Sequence, residues 1–175
     1  MERIDELFPR FDEAGKNLIR KAYAIAEQAL KDMTRGNGKP FIEHPDAVAH
    51  IADEEIGLSA ECIAAVYLHE AVRFKPETDI ASEGFGKDIL TIVDGLNKIS
   101  TINPKDTRLE AENYKRLIVS YSKDPRVTVL KIADRLEVMR SLEMFPKASR
   151  ERKVLETMML YIPLAHQLGL YNIKS

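Results

Sequence analysis

Apolar and polar positions alternate with a helical period along most of the chain. The most apolar stretch is Cys62-Ile-Ala-Ala-Val-Tyr-Leu-His-Glu-Ala-Val-Arg-Phe74. In it Ile63, Val66 and Tyr67, and again Ala65, Leu68 and Val72, recur at helical spacing. Such a helix is apolar on nearly every side and belongs at the centre of a bundle. Ser59 stands before it as N-cap, with Cys62 and not a glutamate three residues on, so no full capping box is expected. The pair His69-Glu70 inside it needs a partner, either another protein group or a metal ion, because a buried charge without one is costly.

The flanking pattern predicts further helices. Met1 to Arg10 forms a short amphipathic one ending near Pro9. Asp12 caps a longer one to about Met33, with Leu18, Ala22, Ile25, Ala26, Ala29 and Met33 as its stripe. Arg35-Gly-Asn-Gly-Lys-Pro40 is a loop. Pro45 suits the first turn of the next helix, in which Val48, Ile51 and Ala52 are buried and which Gly57 ends. After Lys75–Asp79 and the Gly84-Phe-Gly86 turn, Asp88 to Ile99 is helical through Ile89, Ile92, Val93 and Leu96. The loop Asn103–Thr107 precedes a helix from Leu109 to Ser122. Val127 to Ile132 is β-branched and alone could be a strand, but Leu136, Met139 and Leu142 carry a helical pattern on to Pro146. Ser149 to Leu168 is the last helix, kinked at Pro163 and capped by Gly169. The fold class is all-α, a bundle of about eight helices joined by short loops.

Composition narrows the function. A chain of 175 residues with 45% hydrophobic content forms one packed domain. A net charge of −2 gives no electrostatic case for nucleic-acid binding. The single cysteine, Cys62, excludes an internal disulfide and reads as a buried thiol. No apolar run reaches membrane-spanning length and the N-terminus is too charged for a signal peptide, so a cytoplasmic location is expected.

The candidate ligands are His44 at a helix start, His69-Glu70 in the central helix, and Asp134 in the run Leu130-Lys-Ile-Ala-Asp-Arg-Leu136. Histidines and carboxylates from separate helices are how bundles build metal sites, and mixed nitrogen and oxygen ligation suits manganese, zinc or iron. Each histidine taken singly also fits a hydrogen-bonded core residue, and Asp134-Arg135 a local salt bridge. His50 and His166 read as structural or surface residues, and Asp53-Glu54-Glu55 as a solvated helix face.

Taken together the motifs are more specific. Gly38-Lys-Pro-Phe-Ile-Glu-His-Pro45, Phe85-Gly86, Ile92-Val-Asp-Gly-Leu-Asn-Lys98, Ala111-Glu-Asn-Tyr114, Asp124-Pro-Arg-Val127, Lys131-Ile-Ala-Asp-Arg-Leu136 with Met139-Arg140, and Tyr161-Ile-Pro-Leu-Ala-His-Gln-Leu-Gly169 occur in this order. From about Leu18 to Lys174 the sequence resembles the N-terminal hydrolase domain of the RelA/SpoT family, which makes and degrades the alarmones pppGpp and ppGpp. The resemblance implies an HD-type phosphohydrolase fold. It implies one manganese ion held by His44, His69, Glu70 and Asp134, where it activates water for attack on the 3′-pyrophosphate. It places Arg35, Lys98, Arg135, Val138, Arg140 and Ser141 at nucleotide-facing positions. Lys98 also suits a helix C-terminus, and Arg135 and Arg140 could equally hold Asp134. The partners it implies are ppGpp or another guanine nucleotide and a C-terminal synthetase domain, reached through a connector at about 161–175. The domain reads as residues 1–175 of a longer protein.

The sequence departs from the family pattern at the chemistry. The family's His-Asp pair is His69-Glu70, so manganese is expected to bind weakly or not at all. Its Glu-Asp acid–base pair falls on Arg73 and Phe74, neither of which accepts a proton at neutral pH. Its His-Asn step is Glu137-Val138, and its His-x-Gly-Gln segment is not recognisable in Glu27 to Thr34. The substitutions point to a degenerate hydrolase domain that regulates an attached synthetase. Two other readings stand beside it: an active hydrolase using Glu70 and metal alone, and an all-α interaction module without a nucleotide site.

Overall fold

A computed structural model describes residues 2–100 and 124–167. The helices among them are α1 (Glu2–Leu7), α2 (Glu13–Leu30), α3 (Glu43–His50), α4 (Ala60–Phe74), α5 (Lys87–Ser100), α6 (Pro125–Arg140), α7 (Lys147–Glu156) and α8 (Ile162–Gln167). The only β-type pairing among the described residues is an isolated bridge between Thr34 and Pro40. The expected loop Asn103–Thr107, the helix Leu109–Ser122 and the Gly169 cap lie outside the described residues.

Helix α4 is the axis of the bundle. Every residue from Cys62 to Ala71 is buried, and α2, α3, α5 and α6 all pack on it. Burying Ile63 and Leu68 fully contributes about 1.5–3 kcal/mol each. On α2 the buried stripe is Ile19, Ala22, Tyr23, Ala26 and Leu30, one position round from the predicted one. The rotation seats Tyr23 edge-on against Tyr67, with ring centroids 5.3 Å apart. Tyr67 in turn donates its hydroxyl to Asp46 at 2.7 Å, so the buried oxygen is satisfied.

The caps divide the same way. Asp12 accepts from the backbone N–H of Gly15 at 2.8 Å, as predicted. Ser59 occupies the N-cap position, but its hydroxyl makes no cap bond and lies 3.5 Å from Cys62 Sγ instead. Helix α3 continues into a π-helical turn, Ile51–Ile56, which Gly57 ends at φ +80°. That wider turn carries Asp53 inward to a 2.6 Å ion pair with Arg10, and Glu55 to Arg140, so Asp53-Glu54-Glu55 is not simply a solvated face. Helix α7 starts at Lys147, directly after Pro146. A second π-helical turn, Thr157–Tyr161, sits just ahead of Pro163, whose ring and missing N–H disturb the bonding of the preceding turn.

Candidate metal centre

Three helices deliver side chains to one point. His44 is the second residue of α3, next to Pro45 and against Phe41, with ring centroids 5.7 Å apart. Glu70 comes from the middle of α4, where the helix is buried on all sides. Asp134 comes from the middle of α6. One ligand atom from each of the three lies within 4.8 Å of the others. His44 Nε2 is 2.7 Å from Asp134 Oδ1 and 3.8 Å from Glu70 Oε1.

His69 stands beside this trio. Its Nε2 is 3.6 Å from Glu70 Oε1, so that oxygen lies between the two imidazoles. The other nitrogen of His69, Nδ1, is 2.9 Å from Asn97 Oδ1, an acceptor, which puts the proton on Nδ1 and leaves the Nε2 lone pair turned to Glu70. Burial lowers the pKa of His69, against the charge of Glu70, so it is neutral at neutral pH, the ligating form. His44 is the opposite case. Burial alone would lower its pKa, but the charge of Asp134 and hydrogen bonds to Asp134 and Glu137 push it up to about 10. Burial would raise Asp134, and the charge and hydrogen bond of His44 outweigh it and hold that carboxyl well below the usual range.

These donors fit a divalent ion. Two oxygens and an imidazole nitrogen already converge, and Glu70 Oε2 is buried with no hydrogen-bond partner. An orphaned buried carboxylate oxygen is costly, and a cation is its natural complement. The cation that faces that oxygen is Arg73, with Nη1 at 3.6 Å, three residues on along α4.

Beside the cluster opens a cavity of 330 Å³. Arg35, Arg73, Lys131, Arg135 and Lys153 line it, with Asp134 the only carboxylate among the described residues of its wall. Phe41, Phe74, Val138, Met144 and Phe145 supply an apolar part. Phe74 packs edge-on against Phe41 at 5.0 Å, with the Arg73 guanidinium 4.8 Å over its ring. Burial and the neighbouring charge of Arg135 lower the pKa of Lys153, a state that a bound anion would reverse.

The candidate nucleotide residues separate in space. Arg35, Arg135 and Val138 reach the cavity. Arg35 is also held by Glu137 at 2.7 and 3.2 Å, and Arg135 by Glu156 at 3.0 Å over the Tyr161 ring. Arg140 is turned away to Glu55 at 2.5 and 2.8 Å, so the carboxylates that Arg135 and Arg140 bond are Glu156 and Glu55 and not Asp134. Lys98 pairs with Asp94 at 3.0 Å on the surface of α5. Ser141 donates to Glu137.

Sequence reasoning named Glu137 only as a departure from the family's His-Asn step and gave it no role. It is 4% exposed and receives Arg35, His44 and Ser141 together. Its signal was its place three residues after Asp134, in a run otherwise flanked by apolar positions.

A helical bundle that converges histidine and carboxylate side chains from three helices on one buried point is a metal-binding helical domain in its donor set. The sequence profile described as HD domain matches residues 22–171. A guanosine-3′,5′-bis(diphosphate) 3′-pyrophosphohydrolase of Aquifex aeolicus is 35% identical over 175 residues, 99% of this chain and 25% of that protein. The bifunctional (p)ppGpp synthase/hydrolase SpoT of Escherichia coli K12 is 37% identical over 159 residues, 90% and 22% of the two chains. A GTP pyrophosphokinase of Streptomyces coelicolor is 34% identical over 170 residues, 95% and 20%. The chain belongs to the RelA/SpoT family and carries its HD domain. It spans about a quarter or less of the length of these relatives. Among the described residues no helix is long and apolar enough to cross a membrane.

Proposed function

We propose that this domain binds a divalent ion, manganese, on His44, His69, Glu70 and Asp134, takes ppGpp or a related guanine nucleotide in the adjoining cavity, and hydrolyses it negligibly. In the whole protein it would regulate an attached GTP pyrophosphokinase in the cytoplasm. A divalent ion on these ligands would supply Lewis acidity toward a phosphate and activate water. The chain's own residues supply the rest. Lys131, Arg135 and Lys153 face the anionic end of a nucleotide, and the Phe41–Phe74 pair offers aromatic surface beside it.

The observation that carries the reading is the state of the carboxylates. An attacking water must give up a proton, and a positioned acceptor is worth about 10²- to 10⁴-fold. Asp134 is bonded to His44, Glu70 is faced by Arg73, and Glu137 is saturated by Arg35, His44 and Ser141. At the positions expected to supply the acceptor stand Arg73 and Phe74. The interaction-module reading is disfavoured by the buried convergence of His44, Glu70 and Asp134, an arrangement that a surface for partners does not need.

The test is turnover of ppGpp with manganese supplied, comparing the unmodified chain with a variant carrying Glu70→Asp, Arg73→Glu, Phe74→Asp and Val138→Asn. The unmodified chain should be slower by about a hundredfold or more, on the order of the lost acid–base assistance. The double variant Arg73→Glu/Phe74→Asp, which brings in the two acids alone, should recover little, because defects in one site are not additive. Turnover by the unmodified chain within about tenfold of the fourfold variant overturns the impaired reading and favours an active hydrolase working without the acid pair.

A further inference from the structure

Asp134 and Glu137 are three residues apart on α6 and project from one face of it. Their carboxylates close on opposite nitrogens of one imidazole. Asp134 Oδ1 is 2.7 Å from His44 Nε2, and Glu137 Oε1 is bonded to His44 Nδ1. The two sides of the ring differ. Nε2 looks toward Glu70, 3.8 Å away, and the ligand cluster. Nδ1 looks into a closed side where Glu137 also receives the Arg35 guanidinium and the Ser141 hydroxyl. A carboxylate on the far nitrogen decides which nitrogen of a ligating histidine keeps its proton, and makes the other a better donor.

We infer that Glu137 is the positioning residue of this metal centre. It accepts the Nδ1–H of His44 and so presents Nε2 to the ion, while Arg35 neutralises Glu137 and holds it away from the ion. The inference rests on the metal reading proposed above. It gives Arg35 a partner in the protein in place of a phosphate. The bland alternative is that Glu137 only ties the Arg35 loop to α6. The two are separable because Arg35 can be removed while the acceptor stays.

Arg35→Met removes the loop tie and leaves Glu137 with His44 and Ser141. Adding Glu137→Met removes the acceptor as well, without stranding a buried guanidinium, and replacing a buried pair by apolar side chains is often tolerated. Adding Glu137→Gln instead keeps a neutral acceptor at the same place. Manganese affinity of the 175-residue chain is read by calorimetry, and the His44 tautomer by ¹⁵N NMR of the zinc-loaded chain. Arg35→Met/Glu137→Met should bind manganese about ten- to a hundredfold more weakly than Arg35→Met, the usual size of such an effect. Arg35→Met/Glu137→Gln should regain most of the loss. Zinc-loaded Arg35→Met should show the proton on Nδ1 and the metal on Nε2. Equal manganese affinity of Arg35→Met and Arg35→Met/Glu137→Met, or metal on Nδ1, overturns the role of Glu137 and leaves the metal reading standing. Absence of manganese and zinc binding by the unmodified chain at millimolar metal overturns the metal reading itself, and the role of Glu137 with it.

Discussion

Replacing Arg73 by glutamine should tighten divalent-ion binding. The guanidinium Nη1 is 3.6 Å from Glu70 Oε2, the buried oxygen that has no hydrogen bond. Any ion using Glu70 must compete with that charge. At this separation two unit charges interact by about 1 kcal/mol at the dielectric of water and about 5 kcal/mol at an effective value of about 20. The Glu70 side chain is 3% exposed but that of Arg73 is 46%, so solvent screens the pair and the lower figure applies. About 1 kcal/mol corresponds to about fivefold in affinity. The assay is manganese titration of the wild type and of Arg73→Gln, by calorimetry or by the electron-spin signal of free Mn²⁺, at low and high salt. The gain should shrink in high salt, because one partner is half exposed. In a Glu70→Gln background the same substitution should change little, since the coupling is with that carboxylate. Unchanged or weaker binding by Arg73→Gln, at unchanged thermal midpoint, refutes the idea that Arg73 holds Glu70 from the metal.

Lys131→Met and Lys153→Met should each weaken ppGpp binding by about tenfold, the size of one charge-assisted contact, and flatten its salt dependence; calorimetry at two ionic strengths reads both, and full affinity in either variant removes that lysine from the phosphate site. Gly36→Ala should destabilise the chain by about 1–3 kcal/mol in urea titration, as overpacking does. A Cβ there would lie 2.6 Å from the Met144 carbonyl oxygen, a backbone atom with little room to yield, and an unchanged midpoint would mean that the loop shifts freely. Asp124→Ala should cost about 1 kcal/mol through loss of the α6 cap, where its carboxylate accepts from the Arg126 N–H at 3.0 Å. Hydrogen bonding to the Arg126 side chain lowers the Asp124 pKa against a small opposing effect of burial. That charge-dependent stability is present above the ordinary aspartate range and lost as pH falls through the folded-state pKa. The difference between wild type and Asp124→Asn should therefore begin to shrink below about pH 4 and close only below the lowered folded-state pKa, and a gap that does not shrink in acid shows that the charge contributes nothing.

Where a local pattern decides the structure, the sequence was readable. Helix α4 was legible because an apolar run with no polar face has only the bundle centre to occupy. Helix α6 was legible because the pattern continues past the β-branched run to Leu136 and Met139, although Val127–Ile132 alone suits a strand; it ends at Arg140, short of the expected Pro146, and Leu142 lies in a 3-10 turn beyond it. Packing settled what pattern left open. Neighbouring apolar positions on α2 could face inward in more than one rotation, and the Tyr23–Tyr67 contact chose one. Asp53 was legible only as a charge, because its partner Arg10 lies 43 residues away and the π-helical turn that points it inward leaves no mark in composition. The site divides similarly. His44, Glu70 and Asp134 could be named from motifs, whereas their convergence depends on how α3, α4 and α6 pack. Arg35 and Arg140 showed that a cation was present and not which carboxylate, 102 or 85 residues distant, it would choose.

Those choices bear on what the domain can do. Each carboxylate of the cluster faces a positive group from the chain itself. Asp134 has the His44 imidazolium at 2.7 Å and Lys131 at 3.9 Å; Glu70 has Arg73; Glu137 has Arg35. A site of three buried or half-buried carboxylates without an ion would otherwise repel itself and raise the cost of folding. Here the protein supplies the compensating charge, so the fold does not depend on metal to neutralise it. The same compensation opposes binding, because an ion must take Glu70 from Arg73 and displace a proton from His44. The arginine at position 73 therefore acts twice on the proposed reading. It removes a proton acceptor from the reaction and places a competitor on the metal ligand next to it. A cation at that position suits holding a phosphate anion better than hydrolysing one. Replacing Arg73 and Phe74 by acids removes that cation but leaves Glu70 and Val138 unrepaired, and defects in one site are not additive, so the double variant is expected to recover little.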